Sequence, residues 1–434
     1  MTWTSSSFRL SLTANAAWDF LLRAIYLSMP TIQPARQVES AAAVVDRASQ
    51  TILFVTVFVD LLGFGIVIPF LPMFAERLGV SAFGIGWILA IYSLAQLLFA
   101  PVLGRISDRV GRRPIIMIGL LGSSLGYLIY GCANSFALLL LSRALHGACA
   151  ATVPTAQAYI ADTTSGEGRA RGMGLIGAAF GLGFVLGPAL GGVLGHSSLK
   201  VPVFFASLLT FLNLIFAWRR LPESHAPRSD ARLDLATLAD PLFSLPRQLF
   251  GHHLARLFGI AFLLTFALSG LEATFTLMVP LLYGYGPAAL GLLLGYAGLT
   301  QAVVQGWLLG KIVAPLGEMT LVRVGLVALA IGMFPMGMLS NLDALLVLLG
   351  LVSVGYGLAS PSVASLISRR TGQHRQGEVL GVNQSAMSLA RIFGPIAGAS
   401  IYGMMGPAAP YVAGAVVAVA ALALARGVAP ERPN

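Results

Sequence analysis

GLIGAAFGLGFVLGPALGG, residues 174–192, contains no charge and sets Gly183, Gly187 and Gly191 four residues apart. On a helix this spacing lays down a smooth face for close packing of a second helix, while Pro188 removes a backbone donor and permits a kink. Spanning a bilayer core takes about 20 mainly apolar residues per helix. Working outward from this stretch finds twelve such runs: 52–75, 83–104, 114–133, 136–160, 172–195, 201–218, 257–283, 289–310, 320–338, 343–367, 379–404 and 409–426.

Composition agrees. Of 434 residues, 57% are hydrophobic, 49 more are glycine and 10% are charged, so a water-facing surface of ordinary charge density cannot be built. An ordinary soluble protein is thereby excluded, and the lipid bilayer becomes the expected solvent. The net charge of +10 comes from 27 basic against 17 acidic residues. The bases sit between apolar runs with no aromatic-interleaved basic surface, which argues against nucleic acid as a partner. Cys132 and Cys149 lie inside apolar runs and read as small buried hydrophobes, not as a disulfide or metal pair.

The segment from 219 to 256 is the polar exception, mixing arginines, acids, histidines and prolines, and reads as a linker. The expected organisation is a tail over 1–50, a six-helix bundle over 51–218, the linker over 219–256, a second bundle over 257–426 and a tail over 427–434. Within the first tail, AWDFLLRAIYLSM (17–29) is compatible with a short amphipathic helix or an unstructured tail, and Met29 is an alternative start. Lys and Arg of short loops stay in the cytoplasm. Arg105, Arg109, Arg112 and Arg113 fall between runs two and three, Arg169 and Arg171 between four and five, Lys311 between eight and nine, and Arg369, Arg370 and Arg375 between ten and eleven. The alternate loops show Arg77 and Lys200 alone. Both termini and the linker are therefore expected in the cytoplasm, with the chain in a bacterial inner membrane as a multi-pass monomer.

An internal repeat appears at an offset of about 206 residues. GRISDRVG at 104–111 aligns with GKIVAPLG at 310–317, and Gly174, Gly187 and Pro188 align with Gly381, Gly394 and Pro395. The expected fold is an all-α membrane protein of twelve transmembrane helices in two parallel six-helix repeats.

GRISDRVGRRP (104–114) lies where helix two turns into helix three. Gly104 is expected to admit a close helix neighbour, Gly111 to make a left-handed turn, and Pro114 to take the first position of helix three. Asp108, the one acid among Arg105, Arg109, Arg112 and Arg113, has two options: to pair with Arg112, or to lie near a neighbouring helix N-terminus. Either would lock this face in one state. The loop resembles the signature between helices two and three of the major facilitator superfamily. Gly174, Gly183, Gly187, Pro188, Gly191 and Gly192 likewise resemble that superfamily's antiporter motif. DLLGFGIVIPFLP (60–72), SRALHGACAATVPTAQAYIADTT (142–164) and LPESH (221–225) are similar to its tetracycline and multidrug proton antiporters.

That resemblance implies a charge relay of Asp108, Arg112 and Asp162, and a substrate cavity between the halves lined by helices one, four, seven and ten. The second copy of the loop departs from the pattern. Ala314 stands for Asp108 and Glu318 for Arg112, so the relay is expected on the first half alone. In the helix-eleven copy Ala399 follows Gly398, and that copy is expected to serve packing.

Asp60, Arg143, Glu272 and Arg391 are charges inside predicted spans, each costing at least about 2.5–3.5 kcal/mol at mid-membrane. They should face the interior, pair or line a wet cavity as candidate proton or substrate sites: Glu272 and Asp60 as carriers of protons or of cationic substrate if they are not static ion pairs, Arg143 as their counter-charge, and Arg391 in packing or pairing. At 1.5 Å per residue, Arg143 and Glu272 reach similar depth, which predicts a cross-cavity pair. Gln157, Gln301, Gln305, Asn383 and Gln384 are candidate substrate contacts or interhelical bonds.

The expected function is efflux of a small lipophilic or cationic molecule against proton entry, by alternating access and without cofactor or metal. Residues 305–312, around Gly310 and Lys311, do not form a GxxxxGK[ST] loop, and His146, His196, His225, His252, His253 and His374 make no HExxH site. The alternative is a facilitator or proton-coupled importer of a metabolite. A membrane-embedded enzyme or a receptor is disfavoured.

Overall fold

In the computed structural model, residues 40–164, 166–224, 254–370 and 376–428 are described, and every element among them is helical. The chain divides into two units, Met1–Ser49 and Gln50–Asn434, and the architecture below belongs to the second, apart from the first ten residues of the first helix. Helix α1, Ser40–Val67, continues through the tight turn Ile68–Phe70 into Leu71–Arg77. It is followed by α2 (Ala82–Val110), α3 (Arg112–Cys132), α4 in two pieces (Phe136–Ala148 and Thr152–Thr163), α5 (Gly166–Gly195) and α6 (Lys200–Arg220). The second half holds α7 (Ala255–Tyr283), then α8 as Pro287–Val303, a π-helical turn Val304–Leu308 and Leu309–Leu316. It ends with α9 (Glu318–Met333), α10 (Leu342–Arg369), α11 (Gln376–Met405) and α12 (Ala409–Arg426). Among the described residues, ten helices are long and apolar enough to cross a bilayer, and α9 and α11 fill the other two predicted positions. The all-helical, two-repeat fold is as expected.

Helices outrun the apolar stretches that announced them. The run at 83–104 becomes α2 to Val110, so most of GRISDRVG is helix and Gly111 alone, at φ 103°, separates α2 from α3. A helix satisfies its own backbone in water as well as in lipid, so it ends where a residue takes positive φ and not where hydropathy stops. Pro114 is accordingly the third residue of α3, still inside the first turn, where no intrahelical donor is required. Helix α1 begins at Ser40 inside the expected 1–50 tail, and α4 is broken around Cys149–Ala151. Of the linker, Leu221–Ser224 and Leu254 are described. Arg219 and Arg220 end α6, Ala255 and Arg256 begin α7, and residues 225–253, AWDFLLRAIYLSM, Met29 and the tail beyond Val428 lie outside the described residues. Both cysteines are free, but Cys132 is exposed and Cys149 half-buried, not fully buried as expected.

Polar side chains and glycine join the helices. Ser124 and Ser207 each donate to the other's backbone carbonyl, at 3.0 and 2.9 Å, clasping α3 to α6. The outer surface is apolar, with Leu208, Leu292 and Val347 exposed, the last at 68%. Such a surface is stable against lipid and not against water.

The halves meet along α5/α8 and α2/α11, and each seam closes toward one end. A Cβ on Gly192 would lie 2.7 Å from the Pro287 carbonyl, and one on Gly291 2.4 Å from that of Pro188. Gly298 still meets Phe184 at 2.9 Å, and Gly86 meets Pro395 and Ile396 at 2.8 Å. Toward the face bearing the arginine-rich junctions, here the basic face, Gly174, Gly177, Gly181, Gly306 and Gly310 have nothing within 4 Å. Gly104, expected to admit a close neighbour, also has none, because the halves are parted where it lies. The cavity between the halves is thus closed at the opposite face and open at the basic face.

Candidate functional site

In the first half, Asp60 on α1 faces the hydroxyls of Ser123 on α3 and Thr152 on α4, and its Oδ1 has no hydrogen-bond partner. Arg143, 2% exposed, lies 4.6 Å over the Tyr92 ring of α2 and donates to His146 Nδ1 at 3.0 Å. Because a guanidinium can only donate, Nδ1 must be the acceptor, and the imidazole is neutral in this arrangement. Edge-on rings from Phe64, Tyr92 and Tyr127, with centroids 6.2, 5.1 and 4.8 Å away, enclose His146. The cluster sits one turn before the break in α4.

The second half places Glu272 on α7 accessible to solvent between buried Leu271 and Ala273. The guanidinium whose field reaches Glu272 is Arg391 of α11, which also acts on Tyr92 across the interface. The expected Arg143–Glu272 pair is absent from the ion pairs among the described residues. Depth along a helix axis does not fix the direction a side chain leaves it, and Arg143 is turned toward Tyr92 and His146. Tyr356 of α10 faces Thr265, Ser360, Glu272 and Arg391. On the basic side of this group Thr265, Gln305, Ser360, Asn383 and Met387 line a cavity of about 130 Å³. Gln305 is carried on the π-helical turn of α8, a feature enriched at functional sites. Gln157 and Gln384 are exposed and Gln301 is half-buried beside Gly357.

At the α2–α3 junction Arg112 stands between two acids. Its Nη1 lies 2.5 Å from Asp108 Oδ1, its Nε lies 2.7 Å from Asp162 Oδ2, and Nη1 also reaches Ser107 Oγ at 3.1 Å. Of the two options open to Asp108, this conformation takes the pair with Arg112. Arg109 occupies the last turn of α2, where a cation complements the exposed carbonyls. Arg113 donates to the Trp218 carbonyl of α6. A residue not anticipated from sequence completes the corner: Glu223, in the LPESH segment after α6, accepts from the Arg112 backbone N–H at 2.7 Å and from that of Arg113 at 3.2 Å. It caps α3 from the segment that follows α6, and a Cβ on Gly111 would lie 2.4 Å from the carboxylate.

The second half has an ion-paired corner of its own, made of other charges than those of the relay expected on the first half. Gly317, at φ 75°, opens α9 as Gly111 opens α3. Glu318, 8% exposed, accepts from Ser365 Oγ at 2.5 Å and lies 3.6 Å from Arg369 Nη1.

The antiporter-motif glycines of α5 pack against α1. A Cβ on Gly183 would meet Leu61 at 2.9 Å, one on Gly187 the Gly65 backbone at 2.6 Å, and one on Gly191 the Ile66 carbonyl at 2.4 Å. Pro188 lies inside α5, and Gly192 turns to α8. In α11, Gly394 and Gly398 pack on Phe266 and Gly270 of α7, the packing role expected of that copy.

A multi-pass bundle with charged side chains among its helices and two halves that part toward one face is the architecture of a membrane carrier for small molecules. The chain belongs to the major facilitator superfamily, whose sequence profile matches residues 53–395. It is 30% identical over 363 residues to multidrug resistance protein 2 of Bacillus subtilis (strain 168), covering 81% of this chain and 88% of that one. It is 33% identical to the class E tetracycline resistance protein of Escherichia coli, covering 80% and 86%. The crystal structure of the human organic anion transporter MFSD10 (TETRAN) superposes with a TM-score of 0.67 at 28% identity, over 88% of this chain and 99% of that chain.

Proposed function

We propose that this protein exports a small lipophilic or cationic compound in exchange for protons by alternating access. The observation that carries the reading is the placement of one carboxyl on the first helix of each half, Asp60 facing the Ser123 and Thr152 hydroxyls and Glu272 within the field of Arg391, in a bundle whose halves part toward the basic face. A carboxyl reached from the opening binds a proton or a cationic substrate in competition, and competition for one group is the simplest form of exchange. The names of its bacterial relatives, multidrug and tetracycline resistance proteins, support the same direction of transport. Because basic loops are retained in the cytoplasm, the basic face is cytoplasmic, both termini lie there and the conformation described is inward-open. The setting is a bacterial inner membrane, the unit is a monomer, and neither nucleotide, metal nor organic cofactor takes part. One proton crossing 100 mV supplies about 2.3 kcal/mol, enough for roughly a fifty-fold gradient of a neutral substrate.

Liposomes loaded with an internal pH dye, given lipophilic drugs under an imposed pH gradient, test this. Drug-dependent proton flux is expected in the wild type and lost in Asp60→Asn and Glu272→Gln. Drug movement without proton flux would refute antiport and leave a facilitator.

A further inference from the structure

The 130 Å³ cavity of the second half is lined by α7, α8, α10 and α11, so it is a recess within one bundle and not the gap between the two. One group in it is unsatisfied. Asn383 of α11 is 7% exposed, and its amide turns toward the Met387 sulfur at 3.7 Å. A thioether sulfur can only accept, so the NH2 faces it and the oxygen is the other end, and Oδ1 has no hydrogen-bond partner. A buried acceptor left unmade costs about 1–3 kcal/mol, which a ligand bringing a donor removes. Thr265, Ser360 and Gln305 are the other hydrogen-bonding side chains of the wall, and most of the rest is apolar. The space is roughly that of four waters, enough for one small ring with a polar substituent.

We infer that this recess and Glu272 form a two-point site for an amphiphilic cation, the recess taking a neutral N–H or O–H group of the ligand and Glu272 taking its charge about 10 Å away. The spacing comes from α7. Thr265 and Glu272 are seven residues apart, close to two full turns, so both lie on one face of the helix with a rise of about 10.5 Å between them. Tyr356 of α10 faces both and joins the two ends of the site. The charged end of a ligand does not belong in the recess. No acidic or basic side chain lines it, and a cation there would lose its hydration without gaining a counter-charge. Arg391 also acts on Tyr356 beside it and repels a cation. A neutral donor meets the opposite case, because it fills the acceptor that Asn383 leaves open.

Gln305, the exposed member of the lining, stands on the π-helical turn of α8 next to Gly306, whose Cβ would meet nothing within 4 Å, so the recess is entered from the side on which the halves part. The inference rests on the reading of Glu272 as a group that meets a cationic substrate, and it adds which cations are chosen. A wall offering one acid among apolar side chains holds any lipophilic cation, whereas a buried acceptor that must be satisfied disfavours those without a donor.

The test compares two probes on the full chain in detergent. Procainamide carries an aromatic amine across a ring and a short chain from its tertiary ammonium, and the analogue with that aromatic amine dimethylated keeps the charge but loses the donor. Isothermal titration calorimetry should give procainamide a roughly five- to tenfold tighter affinity in the wild type, the effect of one hydrogen bond to a buried acceptor. In Asn383→Leu the preference should vanish while the analogue binds within about twofold of its wild-type affinity. Glu272→Gln should weaken both probes and leave the preference in place. If Asn383→Leu does not accumulate, Asn383→Ala replaces it with the same expectation. Procainamide binding weaker than about 1 mM, or equal affinity of the two probes in the wild type, would overturn the site. So would a preference that survives loss of Asn383, an equal loss of both probes in Asn383→Leu, or no effect of Glu272→Gln on either. The titrations read neither transport nor proton flux, so failure of antiport in liposomes and failure of the two-point site are separate results.

Discussion

Gly187→Ala should damage the protein more than its one methyl group suggests. A Cβ there falls 2.6 Å from both Cα and C of Gly65 and 3.0 Å from the Ile66 nitrogen, all backbone of α1. Carbon atoms in contact settle at about 3.5–4.0 Å, so α1 and α5 must part by roughly 1 Å. No side chain can give way, because the neighbour is itself a glycine. Moving the helices apart also loosens the contacts at Gly183 with Leu61 and at Gly191 with Ile66. Overpacking of this kind costs about 1–3 kcal/mol, which corresponds to a fall of roughly 2–12 °C in unfolding temperature for a bundle of this size. Asp60 is five residues from Gly65, about 7.5 Å along the same helix, so drug-dependent proton flux should fall with stability. The assay is thermal unfolding in detergent beside flux in liposomes, with Gly181→Ala as the internal control, since nothing lies within 4 Å of its Cβ. Unchanged unfolding in Gly187→Ala, or equal damage from Gly181→Ala, would refute the steric reasoning.

Two further outcomes follow from side chains that sequence did not single out. Glu223→Gln removes the negative charge from the N-terminus of α3, where it accepts two backbone N–H groups, and should cost about 0.5–2 kcal/mol. The expected reading is a drop of a few degrees in unfolding temperature, larger in Glu223→Ala, and no drop in either would show that the cap is replaced by water. His146→Phe fills the same space but removes the acceptor of Arg143, whose Nε already lacks a partner, at about 1.5–3 kcal/mol. Transport and stability should both fall, His146→Asn should retain most of each because its amide oxygen still accepts, and parity of the Phe variant with wild type would count against this role for the imidazole.

The helices and the glycine seam were legible because both are local patterns: an apolar run long enough for a bilayer, and glycines repeating every fourth residue. Helix ends were less so. Hydropathy marks where lipid ends, whereas the chain stays helical until a residue such as Gly111 or Gly317 leaves the right-handed region. The four intramembrane charges could be listed from sequence, but their partners depended on azimuth, which a rise of 1.5 Å per residue does not supply. The spacing of Arg143 and His146 by three residues was an available cue, since it puts both on one helical face. Glu223 offered less signal, because an acid just past a helix reveals nothing about which other helix it will cap.

The second-half junction shows how a repeat should be read. Comparing Asp108 with Ala314 and Arg112 with Glu318 finds lost identities and suggests a decayed copy. Attraction between two side chains is unchanged when both charges are exchanged, so a duplicated junction is under no physical demand to keep its signs. What it must keep is the turn that presents the first residue and the helix end that opposes it. Gly317 and the end of α10 preserve both. Exchange of the signs alters which member is buried, and a buried carboxylate, unlike a buried guanidinium, has a second protonation state available to it. Divergence that leaves the geometry intact can therefore add a chemical property the first copy does not have.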